Sequence, residues 1–131
     1  MAAVLLDTTV LIDVLRGRPG TSDRLLRLRE AGDSPFVTAV NVEEVVRGLR
    51  AAETDVARSF LGAMRLAPLG HAEAEMAGTW RREYARRGRT LSQADCLIAA
   101  ASVSIGARLA TGNPKDFPMH ELAVEHWPVG D

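Results

Sequence analysis

Apolar residues fall along the chain in two alternating rhythms. Continuous runs such as "AAVLL" at residues 2–6 and "SPFVTAV" at 34–40 have the length of strands buried on both faces. Other stretches repeat apolar side chains every three or four residues, as one face of a helix does. "TTVLIDVLRGRPG" does so at Val10, Leu11, Val14 and Leu15, with Gly17 and Pro19 as the stop. In "SDRLLRLREAGD" (22–33) Leu25, Leu26 and Leu28 lie between charges and Gly32 closes a second helix. "NVEEVVRGLRAA" sets Val42, Val45, Val46 and Leu49 on one face, a further helix is predicted from Thr54 to Met64, and "RLAPL" reads as a short strand.

The second half continues the alternation. "HAEAEMAGTWRREYARRG" (71–88) is a long amphipathic helix with Met76, Trp80 and Tyr84 at four-residue intervals, a stripe suited to the core or to a subunit or partner contact. "LSQADCLIAAAS" (91–102) predicts a buried helix, "GARLATGN" a buried strand ending in a turn, and "LAVEHW" a last strand at the edge. Short apolar strands alternating with helices imply an α/β fold, a largely parallel sheet with helices on both faces, built as one domain over residues 1–131. In such folds ligands lie beyond the carboxyl ends of the strands.

Three carboxylates interrupt this pattern where a strand hands over to a helix or within a helix's first turn: Asp7 after "VLL", Glu44 in "NVEE" and Asp95 in "SQAD". Each has a structural use of its own. Asp7 suits an N-cap, and Asn41 with Glu44 and Ser92 with Asp95 have capping-box spacing. Capping does not account for their meeting. If these helix starts share one edge of one sheet, the acids gather in one cleft, where repulsion raises their pKa values or calls for a cation. A hard divalent ion with oxygen ligands, magnesium or manganese, answers that demand. Asn113 and Asp116, in the turn "TGNPKDF", lie within reach of the same edge.

Composition narrows the function classes. Hydrophobic residues make up 47% of the chain and charged residues 25%, ordinary values for a globular protein. No apolar run approaches the eighteen or so residues of a membrane span, and "MAAVLL" runs into Asp7 with no basic region or cleavage site, so a cytoplasmic location is expected and no membrane role. Cys96 is the single cysteine and reads as a small core residue. A formal charge of −1 neither demands nor excludes a nucleic-acid partner. Fifteen of the sixteen cations are arginine, which fits phosphate-binding forks but more often reflects GC-rich codon usage. The densest basic stretch, Arg81, Arg82, Arg86, Arg87 and Arg89, together with Lys115, offers candidates for binding phosphates, although a solvated helix end explains most of that density. His71, His120 and His126 lie outside every motif.

Taken together and in order, "LLDTTVLID", "EEVVRG", "LSQADCLIAAAS" and "LATGNPKDF" resemble the PIN-domain ribonucleases, in particular the VapC-like toxins of prokaryotic toxin–antitoxin pairs. The resemblance covers almost the whole chain. It implies a three-layer α/β/α fold around a mostly parallel sheet, and an acidic pocket that binds Mg²⁺ or Mn²⁺ and cuts RNA phosphodiesters, arresting translation and growth. Carried over, its acids are Asp7, Glu44 (four residues before the glycine of "EVVRG") and Asp95, with Asp7 and Asp95 as metal ligands. The family's last acidic position falls on Asn113, a neutral oxygen ligand, and Asp116 is the charged alternative. Thr8 and Ser92 flank the acids as supporting polar groups, and Arg86, Arg87, Arg89 and Lys115 are the RNA-binding candidates. The implied partners are an RNA substrate (tRNA or rRNA), a second copy of the chain, and a VapB-like antitoxin that covers the pocket.

Other acid-after-strand families fit worse. A haloacid dehalogenase-type phosphatase needs a second aspartate where Thr9 stands, and a response-regulator receiver needs paired acids at its first strand. The remaining alternative is a PIN-like domain without catalysis that acts as a protein-binding module.

Overall fold

A computed structural model describes residues 1–130; residue 131, the last of the expected unit, lies outside the described residues. The elements follow in the order β1 (Ala3–Leu6), α1 (Thr8–Leu15), α2 (Thr21–Glu30), β2 (Ser34–Val37), α3 (Ala39–Arg47), α4 (Thr54–Gly62), β3 (Arg65–Leu66), α5 (His71–Arg86), α6 (Gln93–Ser104), β4 (Arg108–Thr111) and β5 (Val124–His126). The five strands form one sheet in the order β3-β2-β1-β4-β5, and every pairing is parallel. The α/β/α expectation holds.

The chain winds outward from β1 in one direction through β2 to β3, then crosses back to add β4 and β5 on the other side. Such a reversal leaves a crevice at the carboxyl ends of the central strands, because the connections on either side of it leave in opposite directions. The crossovers also sort the helices. Side chains of β1 alternate between the faces of the sheet. Leu5 packs into a core with Ala77 and Trp80 of α5 and Ile98 and Ala99 of α6, whereas Val4 and Leu6 pack with Val10, Leu11, Leu25, Leu28, Val45 and Leu61 from α1 to α4. Between β4 and β5 no α-helix intervenes; Phe117, Met119 and Leu122 of the linking segment cover that part of the α5/α6 face instead.

Three boundaries differ from expectation. The strand expected over 34–40 stops at Val37, and Thr38 caps a helix that already includes Ala39 and Val40. The capping box is therefore Thr38 with Asn41, not Asn41 with Glu44: the Asn41 amide donates to Thr38 Oγ1 (3.2 Å) and the Thr38 amide to Asn41 Oδ1 (2.9 Å). The strand expected over "RLAPL" is reduced to Arg65 and Leu66, both exposed at the sheet edge. The Met76, Trp80 and Tyr84 stripe packs toward the core, with Trp80 buried and Met76 and Tyr84 partly buried against it. Trp80 is 6% exposed, with its indole donating to Glu121, and the Tyr84 hydroxyl donates to the Pro118 carbonyl.

Replacing Leu5 by Ala removes the side chain that joins β1 to α5 and α6. Urea unfolding is expected to show a loss of about 2–5 kcal/mol. Leu66→Ala, at a side chain 61% exposed, is expected to change stability by less than about 0.5 kcal/mol.

Candidate active site

Asp7 follows directly on β1, and its amide donates to the Ala110 carbonyl of β4 (2.9 Å), so its position is set by the sheet ladder. The side chain is 4% exposed and fully engaged. Oδ1 accepts from the Thr8 amide (2.8 Å), the N-cap bond of α1. Oδ2 accepts from the hydroxyls of Thr111 (2.8 Å) and Thr9 (3.2 Å). Thr9 Oγ1 in turn receives the Gly112 amide (3.0 Å), and Thr111 Oγ1 the Asn113 amide (3.0 Å). A Cβ on Gly112 would stand 3.3 Å from Thr9 Oγ1, which accounts for a glycine here. Burial raises the Asp7 pKa, against the lowering effect of the Thr111, Thr8 and Thr9 hydrogen bonds, and the charge of Glu44 raises it further.

Glu44 sits on α3 and is tied to the same strand end: Thr8 Oγ1 donates to its Oε1 (2.7 Å), while Asn41 Nδ2 donates to Thr8 Oγ1 (3.0 Å). Asp95 lies in the first turn of α6, where Ser92 Oγ accepts the Asp95 amide (3.1 Å) as N-cap. Its carboxyl is pushed up to about 6, first by burial and then by the charges of Asp7, Asp116 and Glu44, with the Ser92 hydrogen bond acting the other way. Asp95 thus feels the charges of the other three acids, and Asp7 that of Glu44. Asp116 is exposed in a 3-10 turn after β4; Asn113, also exposed, caps that turn without a side-chain hydrogen bond.

Among the described residues no ion pair neutralises Asp7, Glu44, Asp95 or Asp116. The donors are all oxygen, since the three histidines are exposed elsewhere and Cys96 is buried in the core. Among the same residues no three His, Cys, Asp or Glu side chains stand close enough to enclose an ion by themselves. Carboxylate oxygens of this kind are the donors that a hard cation such as Mg²⁺ takes.

The basic candidates divide. Arg87 stacks on the Tyr84 ring at 4.3 Å, and the Arg89 guanidinium donates to the Lys115 carbonyl, tying the α5–α6 loop to the turn that holds Asp116. Arg86 and Lys115 are exposed and unpaired among the described residues. Sequence reasoning missed Thr9, Thr111 and the site role of Asn41. "DTT" and "ATG" held a signal, since hydroxyls beside a strand-end acid are the donors a buried carboxylate requires.

The PIN domain profile matches residues 4–120. Ribonuclease VapC10 of Mycobacterium tuberculosis is 34% identical over 119 residues, which covers 90% of this chain and 88% of that one. Ribonuclease VapC19 of the same organism is 30% identical over 115 residues, 88% of this chain and 92% of the relative. Among solved structures, the fold matches a DNA-bound VapBC from Salmonella typhimurium with a TM-score of 0.83 at 22% identity, over 97% of this chain and 99% of that one.

Asp95 provides a test that needs no substrate. Its raised pKa means that the folded state holds the proton more tightly than the unfolded chain does. Stability is therefore favoured below the ordinary value of 3.8 and falls as the pH rises through about 6. With solvent screening of a half-buried group, the loss is about 1 kcal/mol. In chelator, Asp95→Asn is expected to be the more stable protein by that amount at pH 7.5 and to lose the advantage near pH 4. Urea unfolding curves at both pH values check this.

Proposed function

The chain belongs to the PIN-domain family, and from that premise we propose that it is a metal-dependent endoribonuclease, the toxin of a toxin–antitoxin pair of the VapC type. The observation that carries the catalytic reading is that the charges of Asp7, Asp116 and Glu44 all act on Asp95 while, among the described residues, no protein cation pairs with any of the four. Asp7 and Asp95 would hold Mg²⁺ or Mn²⁺. The bound ion supplies a lowered pKa for water and positive charge for the phosphoryl oxygens.

The protein's own groups supply orientation. Thr9 and Thr111 lock the Asp7 carboxylate, and Ser92 fixes the first turn of α6 beneath Asp95. Glu44 Oε1 is taken by Thr8, whereas Oε2 accepts no hydrogen bond among the described residues and is the basic atom open to a proton from the attacking water. Asp116 adds its charge to the acidic set, acting on Asp95, and Asn113 in the same turn offers a neutral oxygen. Arg86 and Lys115 take the RNA backbone, with Arg89 and Arg87 shaping that rim. The relatives named for ribonuclease activity and the likeness to a VapBC assembly support an RNA substrate and a VapB-like partner. Among the described residues no helix is long and apolar enough to cross a membrane.

RNA cleavage with added Mg²⁺ or Mn²⁺ tests the assignment. Asp7→Asn and Asp95→Asn are expected to fold and to lose roughly hundredfold or more in rate, at or beyond the cost of losing a residue that merely supports a metal ligand. Chelator is expected to silence the wild type. Equal cleavage by all three proteins would overturn the site, and no cleavage of any RNA by the wild type would leave a protein-binding module.

A further inference from the structure

Asn41 is fully buried at the edge of the acidic hollow, and each of its polar atoms is committed. Its Oδ1 accepts from the Thr38 amide (2.9 Å) and the Thr38 hydroxyl (2.8 Å). A backbone N–H only donates, so the atom facing it is the oxygen, and Nδ2 must face Thr8. Thr8 Oγ1 receives that Nδ2 proton at 3.0 Å and has one proton of its own, which goes to Glu44 Oε1 at 2.7 Å. The donors thus run in one direction, from the β2–α3 junction through two side chains to a carboxylate.

We propose that Asn41 is a positioning residue: by occupying the acceptor side of the Thr8 hydroxyl it commits that hydroxyl to Glu44 Oε1 and so holds Oε2 toward the acidic hollow. The inference rests on the ribonuclease reading for its kinetic consequence, and on the hydrogen-bond chain alone for its structural one. A cap-only role for Asn41 predicts something different. Asn41→Asp keeps the oxygen that receives the Thr38 amide and removes the donor to Thr8, but it also adds a carboxyl at a buried position near Glu44. The neutral Asn41→Ser is therefore made beside it, and only a loss shared by both, which a residue that merely caps α3 would not show, is read as loss of the donor.

The test is a double-mutant cycle of Asn41→Asp with Thr8→Val, with Thr8→Ser as the rescue. Each single variant is expected to fold, with kcat lowered about 10- to 100-fold and KM for RNA within about twofold of the wild type. The double variant is expected to be no worse than the poorer single, because both break one chain in series. Thr8→Ser regains most of what Thr8→Val loses. In metal-free protein, the carboxyl ¹³C resonance of Glu44 is expected to move in both single variants and to return in Thr8→Ser. Wild-type kcat in Asn41→Asp, or losses that multiply in the double variant, would overturn the proposal. Should Asn41→Asp not fold, Asn41→Ser is read alone, since its hydroxyl can serve the Thr38 amide but is too short to reach Thr8. A wild type that cuts no RNA defeats the ribonuclease reading alone, and an unmoved Glu44 resonance then defeats the relay.

Discussion

A carboxylate buried at the end of the central strand is the constraint around which this protein is organised. Taking Asp7 out of water is costly unless its oxygens are met by donors, and three donors, two from the start of α1 and one from the end of β4, meet them. Those bonds fix where β4 must end and why the next residue is Gly112. They do not supply positive charge. Asp95, with a single capping serine and the charges of three acids acting on it, shows what remains unbalanced.

Holding unbalanced charge in place requires a frame that does not yield. β1 is buried on both faces, with Val4 and Leu6 in one core and Leu5 in the other, so a slip of one residue would turn every side chain toward the wrong core. α6, which carries Asp95, is held as firmly. Cys96, Ile98, Ala99, Ala100, Ala101 and Ser102 are all buried, and the small residues let sheet, α5 and α3 approach it together. The carboxylates repel one another, but the elements that present them have nowhere to go.

Much of this was legible in the chain because its signals are local. The period of apolar residues gave the order and type of the elements, and the strand-end acids stood out against it. What escaped depends on contacts between segments. Val40 extends an apolar β-branched run and so reads as strand, yet it packs against the α5/α6 core from inside α3 while Val45 packs against the other. The Met76, Trp80 and Tyr84 spacing is the same for a core stripe as for an interface, and the partners that Trp80 and Tyr84 find at Glu121 and Pro118 are invisible in the pattern. Thr111 is ordinary for a buried strand until Asp7, 104 residues away in sequence, is seen to take its proton.

The two ends of the sheet handle acids in opposite ways. At the amino ends, Arg108 pairs with both Asp33 and Glu125, and Asp33 also accepts the Ala2 amide, so charges of the two signs close on one another. At the carboxyl ends a comparable supply of arginine is close at hand, in the α5–α6 loop, yet Arg89 donates to a backbone carbonyl and Arg87 lies on an aromatic ring. The four acids thus keep no protein cation among the described residues while the arginines of the α5–α6 loop are held by other groups, so on the proposed reading the acids would draw a metal ion and the arginines a polyanion, each without cancelling the other.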